Sequence, residues 1–309
     1  MTTVTEPQAH RPEPGPEELL GERRQLINIG YRLLGSLADA EDVVQETYAR
    51  WYALPARQRR EIASPGAWLT TVASRICLDL LGSARSRRER YVGEWIPEPV
   101  PDRSEWSGGP PSPDPAERIT LDESVNMAFL VVLDAMTPAE RVAFILHDVF
   151  RYPFAEVATI LGRSPAACRQ LAVSARRRIR DSRAGQDQRA ERADLVREFK
   201  RAWDAKDIGA LVNLLDPEAV LIADGGGLAR TVRHPIEGGE TIARHMLALA
   251  GLVEDALILE RTVNGQPGLV IEQDGGIGSV VAVDVADGRI TRIWAIRNPE
   301  KLRSWMSTG

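Results

Sequence analysis

Three prolines at alternate positions constrain the fold of this chain more than any other sequence feature. They are Pro97, Pro99 and Pro101 in the stretch YVGEWIPEPVPD, residues 91–102. Because each proline lacks a backbone N–H and disfavours a helical conformation in the residue before it, this stretch has to be extended. The residues that follow, RSEWSGGPPSPDP, are rich in Gly, Pro and Ser and predict a linker. The linker divides the chain into separate folding blocks.

The pattern of apolar residues outside the linker is helical in the first two blocks and changes to β-branched runs in the last. The runs EAVLIA, ALILERTV, GLVIEQ, GSVVAVDV and RITRIWAI predict an antiparallel meander, with hairpin turns at Asn264-Gly265 and Asp287-Gly288. The predicted fold class is multidomain: two all-α domains joined by a linker, followed by an α+β domain. The predicted boundaries are a disordered tail over 1–16, helical domains over 17–92 and 116–183, the linker over 93–115, and the α+β domain over 190–309.

The composition argues against several classes of protein. A net charge of −5 gives no overall attraction to nucleic acid or to anionic membranes. No apolar run is long enough to span a bilayer, and the first residues lack the apolar core of an export signal. The two cysteines, Cys77 and Cys168, have no metal-ligand spacing and suit a reducing compartment. We therefore expect a cytoplasmic protein that uses no metal and no cofactor.

The stretch PFAEVATILGRSPAACRQLAVSARRRIR, residues 153–180, predicts a helix-turn-helix. Gly162 supplies the left-handed residue that ends the first helix, while Ser164 and Pro165 suit the start of the second. The residues of the second helix expected to face the core are Ala167, Leu171, Ala175 and Ile179.

The other face of this second helix is basic. Arg and Gln side chains can hydrogen-bond to base edges in the major groove, and arginines near the helix end can bind phosphates. A solvated basic helix end, favoured by the helix dipole, is the alternative. The predicted DNA-binding residues of this helix and the preceding turn are Arg163, Arg169, Gln170, Val173, Arg176, Arg177 and Arg180.

The stretch ADAEDVVQETYARWY, residues 38–52, predicts an amphipathic helix with one acidic face and with Asp39 as its N-cap. An acidic face does not bind DNA, so in a DNA-binding chain it indicates a docking surface for a basic protein partner. Acids placed favourably near a helix N-terminus are the simpler alternative. The residues of the acidic face are Asp39, Asp42, Gln45 and Glu46, and those of the buried stripe are Ala40, Val43, Val44, Tyr48 and Trp51.

A further helical stretch, residues 64–91, combines an aromatic and a hydroxyl side chain with a basic end. These groups suit a DNA strand whose bases are unstacked. Core packing explains Trp68 equally well. The predicted DNA-binding residues are Trp68, Thr71, Arg75, Arg85, Arg87 and Arg88.

These helical stretches, in this order and split by a linker, resemble the extracytoplasmic-function sigma factors of bacteria over residues 17–183. The resemblance implies that the acidic helix binds a coiled coil of the largest subunit of core RNA polymerase. It also implies that the loop from Ala53 to Ser64, with the next helix, holds a flipped base of the minus-ten promoter element. The helix over 165–180 would read the minus-thirty-five element. A plain helix-turn-helix regulator is an alternative that leaves the acidic helix unexplained.

From about residue 190 the chain resembles the SnoaL-like, nuclear-transport-factor-like domains, which are α+β cones. Some members are cyclases or isomerases that use an Asp and a His, and the candidates here are Asp224 and His245, with Trp203 and Trp294 as lining. Because Asp224 lies in a glycine run typical of an exposed loop, we expect this domain not to be an enzyme. An enzyme or a small-molecule sensor fused to a DNA-binding protein is the alternative.

Three short motifs resemble those of the sigma factors that carry such a fused domain. They are WIPEP at 95–99, DGGG at 224–227 and NPEKL at 298–302. Leu228 departs from the pattern, since many relatives have a lysine after the glycines. The resemblance implies that the fused domain regulates the sigma factor in cis, in place of a separate anti-sigma factor.

We expect the extended linker to contact the C-terminal domain near the glycine run. Glu98 is expected to accept hydrogen bonds from the glycine amides, and Trp95 is expected to pack on the cone. Packing of Trp95 on its own helical domain is the alternative. The residues predicted to form this interdomain contact are Trp95, Pro97, Glu98, Asp224, Gly225, Gly226, Gly227, Asn298 and Pro299.

Overall fold

The computed structural model describes residues 16–88, 91–101, 125–182, 189–250 and 256–306. The predicted disordered tail up to residue 15, and residues 102–124 of the linker and the next domain, lie outside this description. Within the described ranges, no helix combines the length and the apolar character needed to cross a membrane.

The first domain is helical, as predicted. Its elements are α1 (Pro16–Leu34), α2 (Leu37–Ala53), α3 (Ala56–Glu61) and α4 (Pro65–Arg88). The expectation that Asp39 caps α2 is wrong: the Ser36 hydroxyl accepts a hydrogen bond from the Asp39 amide at 3.2 Å, so the helix begins three residues earlier than predicted. The predicted loop between Ala53 and Ser64 contains the short helix α3.

The second domain contains the predicted helix-turn-helix. Its elements are α5 (Met127–Asp134), α6 (Pro138–Phe144), a π-helical turn (Ile145–Val149), α7 (Phe154–Leu161) and α8 (Pro165–Ser182). Gly162 ends α7 in the left-handed conformation with φ of 62°, and the Ser164 hydroxyl accepts a hydrogen bond from the Ala167 amide. The buried stripe of α8 is rotated slightly from the prediction, since Cys168 and Ala172 are buried while Ala167 and Leu171 are only half-buried.

The two helical domains share one apolar core. Leu69 and Ala73 of α4 belong to the same cluster of buried side chains as Val157 and Ile160 of α7. Polar contacts cross the same boundary, because the Arg141 guanidinium donates to the Leu33 carbonyl at 2.8 Å. The domains therefore pack together as a closed pair in this structure.

The C-terminal domain is α+β, with a six-stranded mixed sheet in the order β2-β1-β6-β5-β4-β3. Its helices are α9 (Arg189–Asp204), α10 (Ile208–Leu214), α11 (Gly239–Ala250) and α12 (Arg303–Met306). Its strands are β1 (Leu215–Asp224), β2 (Ile236–Glu237), β3 (Leu257–Val263), β4 (Gln266–Gln273), β5 (Gly276–Ala286) and β6 (Arg289–Ile296). Strands β3 to β6 form the predicted antiparallel meander. The expectation of a wholly antiparallel sheet is wrong, because β1 pairs with β6 in parallel.

Both predicted hairpin turns are confirmed. Asn264 and Asp287 each have φ of 52°, and the glycine that follows each also has positive φ. A third turn of the same kind, at Asp274-Gly275, joins β4 to β5.

The sheet buries side chains on both faces. One face packs on helices α9 to α11 through residues such as Leu221 and Ile293. The other face carries Trp294 and Ile296, which pack with Ile96 of the linker and Met127 of α5. Trp203 belongs to the helix-side core, so the expectation that Trp203 and Trp294 line one cavity is wrong.

Candidate nucleic-acid interface and interdomain linker site

Residues 95–101 of the linker are extended and lie between the first helical domain and the C-terminal sheet. Ile96, Pro97, Glu98, Pro99 and Val100 are all buried. The proline spacing gives the extended backbone, which leaves its N–H and C=O groups available to both neighbours. The Glu98 amide donates to the Gly35 carbonyl at 2.8 Å, while the Pro99 carbonyl accepts from the Trp305 indole at 2.9 Å. The linker is thus hydrogen-bonded on both sides.

The Asp224 carboxylate is the centre of the contact on the C-terminal side. It is fully buried at the end of β1, with 0% exposure. One oxygen accepts from the Tyr91 hydroxyl at 2.7 Å and from the Gly226 amide at 3.0 Å. The other accepts from the Ile96 amide at 3.0 Å and from Lys301 Nζ at 2.7 Å. A buried carboxylate needs such partners to remain charged, so these contacts bind the linker to β1.

The Trp95 ring lies between Lys301 of the C-terminal domain and Gly35 of the first helical domain. Lys301 Nζ lies 4.3 Å from the centre of the Trp95 ring, within range of a cation–π interaction. On the other side, a methyl group at Gly35, where φ is 70°, would lie only 2.7 Å from the ring, so both the conformation and the space favour glycine at that position. Trp95 is half-buried between the two domains, and the two interpretations of its packing each describe one side of the ring.

The expectation that Glu98 accepts hydrogen bonds from the glycine run is wrong. Its carboxylate accepts from the Leu37 amide at 2.8 Å, at the N-terminus of α2, where the helix dipole favours an anion. Burial nevertheless raises the pKa of Glu98 to about 7, partly offset by the Leu37 amide. The linker therefore places a buried carboxyl group directly at the start of the acidic helix.

Asn264 joins four segments of the chain and was not identified as a site residue from the sequence. Its side-chain oxygen accepts from the Val100 amide at 3.1 Å. Its side-chain nitrogen donates to the Tyr31 hydroxyl at 2.7 Å and to the Val125 carbonyl at 2.8 Å. The residue is fully buried, so the Val100 amide and the Val125 carbonyl meet it away from water, while the Tyr31 hydroxyl also donates to the Glu98 carbonyl at 2.7 Å. The Asn-Gly pair explained this residue as a turn, and nothing in the local sequence indicated the other contacts.

The glycine run packs against the NPEKL motif. A side chain at Gly226, where φ is 60°, would overlap Asn298, whose amide donates to the Tyr91 hydroxyl at 2.8 Å. Gly227, with φ of 74°, lies against Val92. Leu228 is exposed, and the lysine that binds Asp224 is instead Lys301 of the NPEKL motif. The three motifs WIPEP, DGGG and NPEKL therefore meet at one place. Gly225 and Pro299 belong to it as the chain neighbours of Asp224 and Asn298.

The proposed Asp–His pair does not form. Asp224 points to the linker side of the sheet, whereas His245 lies on α11, which packs on the opposite face. Burial lowers the pKa of His245. Since all four hydrogen bonds of Asp224 hold structural partners, this carboxylate is not arranged as a general base for a substrate in the cone.

The basic face of α8 lies on the surface of the second domain. Arg163, Arg169, Gln170, Val173, Arg177 and Arg180 are exposed. Arg176 is only half-exposed, because its Nε is bound to Asp148 at 2.6 Å. One of the predicted DNA-binding arginines of this face is therefore already paired within the domain.

Two known sequence families match the two helical domains of the chain separately. Sigma-70 region 2 matches residues 21–87, and Sigma-70, region 4 matches residues 126–179. The ECF RNA polymerase sigma factor SigJ of Mycobacterium tuberculosis is 38% identical over 291 residues, covering 90% of this chain and 90% of that protein. The chain belongs to the ECF RNA polymerase sigma factors.

One further relative and the solved structure of SigJ support the assignment over more than nine-tenths of the chain. The probable ECF RNA polymerase sigma factor SigI of Mycobacterium tuberculosis is 33% identical, covering 91% of this chain and 92% of its own. The crystal structure of Mycobacterium tuberculosis SigJ superposes with a TM-score of 0.71 at 35% identity, over 94% of this chain and 99% of that one. The C-terminal α+β domain is thus part of the architecture that this chain shares with SigJ.

In this sigma factor the acidic face of region 2 is open. Asp42, Gln45 and Glu46 of α2 are exposed, Asp39 is partly exposed, and Glu46 forms a surface ion pair with Arg50. The buried stripe of α2 follows the prediction, with Tyr48 half-buried.

Helix α4 of region 2, which carries predicted DNA-binding residues, contacts region 4. Arg75 of α4 donates to the Thr159 carbonyl of α7 at 2.9 Å. Trp68 packs on Trp51 with ring centres 5.2 Å apart, and the Thr71 hydroxyl donates to the Ala67 carbonyl of its own helix. The side chains of Arg85, Arg87 and Arg88 lie outside the described part of the structure.

Proposed function

We propose that the C-terminal domain regulates this sigma factor in cis by holding the linker against region 2, in place of a separate anti-sigma factor. As a sigma factor, the protein binds core RNA polymerase and directs it to promoters. The observation that carries the proposal is the double attachment of residues 95–101. Region 2 binds this segment through Gly35 and Leu37, and the C-terminal domain binds it through Asp224 and Asn264.

The attachment acts on the arrangement of the two DNA-binding domains. Asn264 holds Tyr31 of region 2 and Val125 at the start of region 4, so it limits their separation. In that closed arrangement the Arg75 guanidinium, although exposed, is hydrogen-bonded to the Thr159 carbonyl of region 4, and it has to leave this contact to reach the melted strand of the minus-ten element. We therefore infer that the closed form limits open-complex formation, and that release of the linker precedes it.

The polymerase-docking face is exposed in the same arrangement. Asp42, Gln45 and Glu46 can meet a basic coiled coil of the polymerase without any rearrangement of region 2. Once both DNA-binding regions are tethered on the polymerase, their weak affinities combine without new contacts. The chain's net charge of −5 is compatible with promoter binding because the polymerase supplies further phosphate contacts.

We propose that the C-terminal domain itself is not an enzyme. The Asp224 carboxylate is used to hold the linker, and His245 lies across the sheet from it. Both findings support a structural role for the buried Asp224 carboxylate, in the contact between the C-terminal domain and the linker.

Reversing the charge of the acidic face tests polymerase docking. The double variant Asp42→Lys/Glu46→Lys should bind core RNA polymerase at least about thirtyfold more weakly, because two attractive contacts become repulsive. Binding is measured with labelled full-length protein and core enzyme. The matched control is Glu191→Lys/Glu198→Lys, which reverses two exposed acids on α9 and also moves the net charge from −5 to −1. Equal affinities of the two double variants would show that α2 does not dock on the polymerase.

Removing the Trp95 ring tests regulation through the linker. Trp95→Ala loses the contacts with Gly35 and Lys301, so we expect the linker to detach about tenfold more often. Limited proteolysis within residues 91–101 measures detachment, and run-off transcription with core polymerase should increase severalfold. Leu257→Ala is the control, because it removes an exposed apolar side chain at the end of β3 opposite to Val263, the residue that pairs with Pro101 of the linker. Faster cleavage without higher transcription would show that Trp95 holds the linker in place but that this contact does not regulate transcription.

A further inference from the structure

One apolar side chain lies exposed within the basic face of α8. Val173 is 58% exposed, whereas the other apolar residues in the middle of this helix are buried or half-buried. Its neighbours one turn before and one turn after are Gln170 and Arg177, both exposed. A single exposed valine is ordinary on a protein surface. At the centre of a predicted DNA-binding face, however, it needs an apolar group on the DNA as its partner.

The spacing along α8 places Val173 toward the bases. The helix begins at Pro165, so Arg169, Gln170 and Val173 are its fifth, sixth and ninth residues and lie on one side of the helix. In helix-turn-helix proteins the first turns of the second helix contact base edges in the major groove. Arg177 and Arg180 continue the same side toward the helix end, where phosphate contacts are expected.

Three of the four arginines from 169 to 178 contact groups within the domain, and the fourth, Arg177, is exposed one turn beyond Val173. The Arg169 guanidinium lies 5.6 Å from the centre of the Phe154 ring. Arg176 binds Asp148 at 2.6 Å, and Arg178 lies 3.8 Å from Glu140. Val173 therefore contributes a short, branched, apolar surface in the middle of this face of α8.

The major groove presents one apolar group, the C5-methyl of thymine, and polar atoms elsewhere on the base edges. A valine cannot donate or accept a hydrogen bond, so it leaves a polar edge unsatisfied and gains only from the methyl group. We infer that Val173 reads the methyl group of a thymine in the minus-thirty-five element and so contributes to promoter choice. The inference rests on promoter binding by region 4 and is independent of regulation in cis.

Deoxyuridine isolates the methyl group, because it pairs like thymidine and differs only at C5. Full-length protein with core RNA polymerase is used to select bound duplexes from a library randomised over 40 base pairs. Each thymine in the upstream part of the selected sequence is then replaced by deoxyuridine, one at a time. We expect one replacement to weaken wild-type binding about fourfold, the value of about one buried methyl group.

The variant Val173→Ala should bind the thymidine and deoxyuridine duplexes alike at that position. Because Val173 is exposed, its replacement leaves the core of the domain unchanged. Gln170→Ala is the control: it should weaken binding but keep the fourfold preference for thymidine. The inference is overturned if no upstream thymine is selected, if deoxyuridine has no effect on the wild type, or if Val173→Ala keeps the preference.

Discussion

Replacing Lys301 with methionine should destabilise the full chain by about 3–5 kcal/mol, because it leaves the buried Asp224 carboxylate without its cation. The ion pair is 2.7 Å long, and the carboxylate is fully buried. The methionine side chain keeps most of the apolar volume, so the loss is mainly electrostatic. Denaturant unfolding followed by tryptophan fluorescence measures the change for the full chain, since region 2, the linker and the C-terminal domain all contain tryptophans.

A surface ion pair of the same length provides the control. Lys200 Nζ lies 2.6 Å from Asp204 on α9, but the two side chains are 25% and 45% exposed. Lys200→Met should therefore cost less than about 1 kcal/mol. The double variant Asp224→Asn/Lys301→Met removes the uncompensated charge and should recover part of the stability lost in Lys301→Met. A cost for Lys301→Met no larger than that of Lys200→Met would contradict the account of this site.

The same substitution connects stability with function. Lys301 also donates to the Ile96 carbonyl and lies over the Trp95 ring, so its loss weakens the linker contact as well as the C-terminal domain. If the closed form limits transcription, run-off synthesis by Lys301→Met holoenzyme should increase under conditions where the variant remains folded. A variant that unfolds would instead lose activity, and the unfolding curve separates the two outcomes.

Local rules predicted the parts of the fold that depend on neighbouring residues. Gly162, Ser164 and Pro165 specify the helix-turn-helix because a left-handed residue, a capping hydroxyl and a helix-starting proline act within a few positions. The Asn-Gly and Asp-Gly turns follow from positive φ at adjacent residues. The misplaced cap of α2 also has a local cause, since Ser36 and Asp39 are both good capping residues and the sequence alone does not rank them.

Long-range contacts account for what the sequence pattern missed. The parallel pairing of β1 with β6 joins segments about 70 residues apart, and no periodicity encodes it. The three short motifs indicated where the linker contact lies, through resemblance to relatives. Their partners Gly35 and Tyr31 were not predicted, because a glycine and a tyrosine in a helical block have sufficient local explanations. Lys301 stood inside a quoted motif, but its role depends on Asp224, 77 residues earlier.

Replacing Asn264 with glycine should release the linker at a cost of about 3 kcal/mol. Glycine adopts the φ of 52° without strain, so the turn is kept and only the side-chain hydrogen bonds are lost. The Val100 amide and the Val125 carbonyl then lose their partner in a buried site, which costs about 1–3 kcal/mol for each group. Hydrogen exchange at the Val100 amide should become at least about a hundredfold faster.

Asp287→Gly is the matched control, because Asp287 has the same φ of 52° before a glycine but lies exposed in the β5–β6 turn. It should change stability by less than about 0.5 kcal/mol and leave exchange at Val100 unchanged. The two variants thus share the turn chemistry and differ only in the interdomain contact. If Asn264→Gly speeds exchange and also raises transcription, the buried amide couples the C-terminal domain to both DNA-binding regions. Faster exchange with unchanged transcription would mean that Asn264 holds the linker in place without controlling promoter opening.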